Sequence, residues 1–165
     1  FHALHEETNI LFGGGIDDVW ENTVTGELHV VDYKSTAQGV QGPKHEPKPI
    51  DLEGPFKGAF KRQMDMYQWV MRRMGFQVSN TGYILYVDGQ HWGVERMLDD
   101  DPAVATMKFK ATLLPYEGDD SWIEDTLRDI KKLLLDGQCP PHAEGCEQKI
   151  FLDEVAEALS VATLD

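Results

Sequence analysis

Two cysteines, Cys139 and Cys146, are all that the 165-residue chain contains, too few for a disulfide framework at this size. No apolar run approaches the roughly 20 residues that cross a bilayer, so the sequence predicts no membrane span. A basic segment leading into an apolar one is also missing, so no signal peptide is expected and a reducing cytoplasm is the expected setting. Internal repeats and low-complexity tracts are absent. Basic residues are scarce: 15 Lys and Arg face 29 Asp and Glu, for a net charge of −14. That balance excludes a surface that is basic throughout, which phosphate-binding proteins usually prefer. The acid is unevenly spread, however. Between Lys44 and Arg73 seven basic residues face four acidic ones, whereas from Glu95 onward seven face seventeen. A local positive surface is therefore expected near residues 44–73.

What is present suits a globular protein: 41% hydrophobic and 27% charged residues, enough to bury a core. The first residues read as strand, and residues 7–20 as an extended region broken by Gly13-Gly14-Gly15 and resuming at Ile16. That glycine run lacks the Gly-Lys-Ser/Thr ending of a phosphate loop and reads as a bend. Residues 27–34 (ELHVVDYK) form the best strand, and 37–58 a long polar connection. Residues 59–74 predict a helix, with Phe60, Met64, Tyr67, Val70, Met71 and Met74 at helical spacing and Gly75 as its stop. Asp88-Gly89 predicts a hairpin between strands at 81–87 and 92–98, and a further strand at 107–114 ends at Pro115. Ser121 and Glu124 make a capping box for a helix to Asp136, with Ile123, Leu127, Ile130 and Leu134 as its buried stripe. A last helix covers 151–163. This order predicts an α/β or α+β sheet flanked by helices, in one domain over 1–165.

Chemistry concentrates on the central strand. Side chains alternate along a strand, so Asp32 and Lys34 share the face that Leu28 and Val30 bury, while His29, Val31 and Tyr33 point the other way. One strand earlier, Gly15-Ile16-Asp17-Asp18 puts one of two aspartates near Asp32. Two carboxylates, a backbone carbonyl and water make a hard oxygen site suited to Mg²⁺ or Mn²⁺. Such an ion lowers the pKa of an attacking water and neutralises developing charge, and a lysine beside it can orient that water. Gln63 and Tyr67, at i and i+4, share one face of the predicted helix. Taken alone, Asp32 and Lys34 read more often as a plain surface ion pair. Gln63 alone reads as a solvated helix residue, and Tyr67 as a core or edge aromatic. The histidines show no ligand spacing.

Taken in order, Gly15-x-Asp17, Val30-Val31-Asp32-Tyr33-Lys34 and Gln63-x-x-x-Tyr67 resemble the RecB-like branch of the PD-(D/E)XK nuclease superfamily. Over roughly residues 6–150 the chain is similar to small stand-alone bacterial proteins of that superfamily, helped by the segment Tyr116-Glu-Gly-Asp-Asp-Ser-Trp-Ile. The resemblance implies a restriction-endonuclease-like α/β core with a central mixed sheet flanked by helices. It implies a metal-dependent DNA nuclease of RecB-like exonuclease type, with Asp17, Asp32 and Lys34 catalytic. Asp17, Asp32 and the Tyr33 carbonyl would hold the metal, and Gln63, Tyr67, Lys61 and Arg62 would meet substrate. The implied partner is DNA, including single-stranded DNA; a protein partner stays open, and no membrane is involved. Relatives carry a helix with a further metal ligand before the first strand, which this chain is expected to lack. Many also hold an iron–sulfur cluster; here Lys149 stands where a partner for Cys146 would fall, so no cluster is expected. The competing reading is a weak or inactive nuclease-like module for nucleic-acid binding or assembly. A two-carboxylate glycosidase would leave Lys34, Gln63 and Tyr67 without a role.

Overall fold

The computed structural model describes residues 1–37, 40–41, 46–54, 57–90, 100–138 and 140–162. Its elements run β1 (His2–His5), β2 (Ile10–Gly13), β3 (Asp18–Glu21), β4 (Leu28–Thr36), β5 (Val40–Gln41), β6 (Glu46–Pro47), α1 (Lys57–Arg73), β7 (Thr81–Gln90), β8 (Lys108–Glu117), α2 (Ile123–Asp136) and α3 (Glu147–Ala162). Two compact units result, Phe1–Leu127 and Arg128–Asp165.

The first unit is built on a mixed four-stranded sheet in the order β3-β4-β7-β8. β3 pairs antiparallel with β4, β4 parallel with β7, and β7 antiparallel with β8. The parallel β4–β7 pair needs a crossover, and α1 supplies it. α1 lies on the sheet face formed by Leu28, Val30, Ile84 and Tyr86, burying Met64, Tyr67 and Met71 there. This is the face assigned to Asp32 and Lys34 by strand alternation. The opposite flank of α1 receives the β1–β2 hairpin, where Ala3, Trp69, Val70, Ile123 and Leu127 form a second cluster.

α1 approaches the sheet closely at Gly82. A Cβ there would stand 2.5 Å from the Met64 sulfur and 3.2 Å from the Val30 carbonyl oxygen. Met64 is 1% exposed and has no room to retreat. Gly82→Ala is therefore expected to destabilise by about 1–3 kcal/mol, the usual cost of overpacking. Thermal melting measures it, and an unchanged midpoint would refute this account of the helix–sheet contact.

A buried carboxylate ties the middle of α1 to the end of β8 and the chain beyond it. Asp65, 4% exposed, accepts hydrogen bonds from the Tyr116 hydroxyl (3.0 Å), the Asp119 amide (2.9 Å) and the Trp122 indole (3.1 Å). Burial and this carboxylate push the Tyr116 phenol up to about 12. The segment 116–122, part of the family resemblance, thus latches α1 to the start of α2.

Several expectations are corrected. β7 runs straight through Asp88-Gly89 to Gln90, and its antiparallel partner is β8, so no hairpin turns there. The predicted strand at 92–98 lies outside the described residues. A local turn signal loses to a ten-residue ladder in which Asp88 and Gly89 are paired with Lys110 and Phe109. Pro115 does not end β8, which continues to Glu117 as a terminal strand of this sheet, where a missing N–H is tolerated. β3 begins at Asp18, two residues later than the resumption at Ile16, and α1 begins at Lys57 rather than 59. On α2, Ile123 and Leu127 are buried as predicted, but Ile130 and Leu134 are 38% and 70% exposed. In the second unit α3 starts at Glu147, ahead of the predicted 151, and Phe151, Leu152 and Leu159 are exposed.

Candidate metal-binding active site

Asp32 sits where the apolar face of β4 turns polar. It is 3% exposed, and no described residue gives either carboxylate oxygen a hydrogen bond of ordinary geometry. Its charge partner is the Lys34 ammonium, in an ion pair on the same strand face. Burial pushes the Asp32 carboxyl up from its ordinary value; Lys34 opposes that shift and the nearby Asp17 carboxylate adds to it.

The β3–β4 register, with Asp18 opposite Val31, brings Asp17 to the level of Asp32. Asp17 accepts the Tyr33 backbone N–H at 2.9 Å, just beyond the last ladder pair. The N–H and C=O of one residue leave an extended strand on the same edge, so the Tyr33 carbonyl turns to that edge too. Asp18 is engaged elsewhere: it accepts bonds from the Val19 amide (2.8 Å), the Trp20 indole (3.1 Å) and the Tyr33 hydroxyl. The choice left open between the two aspartates therefore falls on Asp17.

α1 contributes the third side. Lys34 Nζ donates to Gln63 Oε1 at 3.2 Å, and Gln63 Nε2 donates to the Tyr67 hydroxyl at 2.7 Å. Gly14 backs onto that phenol, where a Cβ would stand 3.1 Å from Tyr67 Cε1. The bend read at Gly13–Gly15 thus also makes room for Tyr67. The chain Lys34–Gln63–Tyr67 holds the ammonium against Asp32. Of the two basic residues expected to meet substrate, Lys61 pairs with Glu53 at 3.3 Å, and Arg62 lies exposed beside Gly58. Neither contacts Asp17, Asp32 or Lys34 among the described residues. Sequence reasoning passed over Lys57 and Phe60 as site residues, because it placed Lys57 in the loop and Phe60 in the core. Starting the helix two residues earlier puts Lys57, Phe60, Gln63 and Tyr67 on one stripe.

The residues present fit a hard divalent cation. Asp32 offers two buried oxygens that no hydrogen bond of ordinary geometry satisfies, and with Asp17 close by the single Lys34 charge faces two carboxylates, which a cation would complete. Asp17 and the Tyr33 carbonyl supply further oxygens on the same edge, the donor set that suits Mg²⁺ or Mn²⁺. No third His, Cys, Asp or Glu side chain joins them among the described residues, so water would complete the shell.

Sheet order and the crossover helix α1 define an α/β protein of restriction-endonuclease-like architecture. A family model described as the PD-(D/E)XK nuclease superfamily matches residues 2–148, and the chain belongs to that superfamily. No curated protein and no solved structure matches it. Membership makes this a nuclease-type hydrolase domain whose partner is nucleic acid and whose relatives typically use divalent metal ions. No helix among the described residues is long and apolar enough to cross a membrane.

Proposed function

We propose that the protein is a cytoplasmic, Mg²⁺- or Mn²⁺-dependent deoxyribonuclease of the RecB-like exonuclease type. The observation that carries this reading is Asp32: a buried carboxylate whose charge partner is a lysine two residues on, with a second carboxylate, Asp17, close by. Asp17, Asp32 and the Tyr33 carbonyl would hold the cation, which when bound supplies charge neutralisation at the scissile phosphate and a more acidic water. The chain's own groups do the rest. Lys34 would donate from Nζ to the attacking water or to a phosphate oxygen as negative charge builds. Gln63, accepting from Lys34 and donating to Tyr67, would keep that ammonium from swinging out of line. The Gln63–Tyr67 pair is also what favours the RecB-like branch over other branches.

End-labelled linear DNA and circular DNA, each single- and double-stranded, incubated with Mn²⁺, Mg²⁺ or chelator, test the proposal. Metal-dependent release of nucleotides from linear but not circular substrate is expected. DNA binding with no cleavage in any of these mixtures would leave the binding-module reading in its place.

A further inference from the structure

Lys57 opens α1 and stands half-buried. Its ammonium donates to the Tyr86 hydroxyl and lies 4.3 Å from the centre of the Tyr86 ring and 5.5 Å from that of Phe60. The Lys34 ammonium lies 4.9 Å from the same Phe60 ring. Lys34 and Tyr86 are register partners on β4 and β7, so both share the face that α1 covers. Two ammonium groups thus flank one aromatic ring, one strand apart.

Their electrostatic situations differ. Lys34 is matched by Asp32. Lys57 meets a neutral phenol and two ring faces, and no carboxylate pairs with it among the described residues. Rings stabilise a cation without cancelling its charge. The rings and the phenol seat the ammonium, but they leave its positive charge uncancelled and available to an anion. Across the sheet the order runs from Asp17 on the β3 side, through Asp32 and Lys34, to Lys57 on the β7 side. An acidic pair suited to a cation stands at one end, and an unmatched ammonium at the other.

We propose that Lys57 binds the phosphate adjoining the scissile one, on the β7 side, and so sets the register of the nucleic-acid strand over Asp32 and Lys34. The proposal rests on the nuclease reading of the site. In a chain of net charge −14, a cation that no carboxylate neutralises is a favourable seat for a phosphate. Lys61, paired with Glu53, has less to offer.

Binding separates this proposal from that of the chemistry. The probe is a fluorescein-labelled single-stranded oligodeoxynucleotide, titrated by anisotropy in Ca²⁺, with wild type, Lys57→Met and Lys57→Arg across a series of salt concentrations. Lys57→Met is expected to weaken binding about tenfold and to lower the slope of log affinity against log salt by about 0.7, the loss of one phosphate contact on a single strand. Lys57→Arg should restore both. In Mn²⁺ the methionine variant should show a raised KM, which arginine brings back. An unchanged salt slope in Lys57→Met, or no rescue by arginine, overturns the proposal, as does a wild type that binds no oligonucleotide. Wild type that binds with the expected Lys57 dependence but never cleaves overturns the nuclease reading alone.

Discussion

Lys34→Met is expected to lower kcat for phosphodiester cleavage on the order of 10²–10³-fold, with the fold intact. Methionine keeps the length of the stem and its packing over Phe60, so the change removes charge and hydrogen bonding rather than volume. Two effects combine. The first is the loss of the donor that faces developing charge on the phosphate. The second acts on Asp32. Burial is the largest influence on that carboxyl and raises its pKa, while the hydrogen bond and charge of Lys34 hold it down. Without Lys34 the Asp32 pKa rises further, so less carboxylate is present at any given pH. The acid limb of the pH–rate profile should therefore move to higher pH in Lys34→Met, and part of the loss should return as the solution is made more alkaline. Steady-state rates at Mn²⁺ concentrations below saturation measure both across that range, because there the carboxyl must lose its proton before it takes the cation. A variant within tenfold of wild-type kcat would remove Lys34 from the chemistry. A large drop with an unmoved acid limb would keep Lys34 but separate it from Asp32.

Much of this site was legible in the sequence because its parts obey short-range rules. Asp32 and Lys34 share a face by strand alternation, and Gln63 and Tyr67 share one by helical spacing, whatever the rest of the chain does. Both rules survive folding unchanged, and the structure joins the two pairs through the Lys34–Gln63 hydrogen bond. The choice of Asp17 over Asp18 was not fixed by spacing, since it depends on register and on what captures the loser. Asp18 is captured by Tyr33 and Trp20, residues that alternation alone sends to the far face of the sheet. The turn read at Asp88-Gly89 failed for a related reason: dipeptide preference is weak against a long ladder whose partner lies about twenty residues on, and that partner is invisible locally. Lys57 was hidden by a boundary error of two residues. Helix ends are set by capping and tertiary contact, here the cation–π seat on Phe60 and Tyr86, which no periodicity encodes.

Asp32→Asn is expected to raise the melting temperature of the protein in chelator at neutral pH and to abolish its response to divalent cation. The folded-state pKa of Asp32 is raised above its ordinary 3.8 by burial. A group shifted in that direction contributes its full stability below the unfolded pKa and loses it as pH rises through the folded pKa. At neutral pH the ionised carboxylate, whose burial outweighs the help of Lys34, therefore costs stability that an amide of the same shape does not. The difference between variant and wild type should be largest at neutral pH and shrink on acidification, as wild-type Asp32 itself becomes neutral. Asp18, Asp119 and Glu124 are shifted downward and oppose this trend in each protein separately, but they cancel in the comparison. Cation binding reverses the ranking. With Mn²⁺ at about 100 times its Kd, wild type gains about 2.7 kcal/mol. For a chain of this length that is roughly 5–10 °C in melting temperature. The amide variant, lacking the charge that holds the ion, should stay where it was in chelator. Scanning calorimetry of both proteins with chelator and with Mn²⁺ decides the matter. An Asp32→Asn protein that melts below wild type without metal, or gains as much as wild type with it, would show that Asp32 is a structural ion-pair partner and not a ligand.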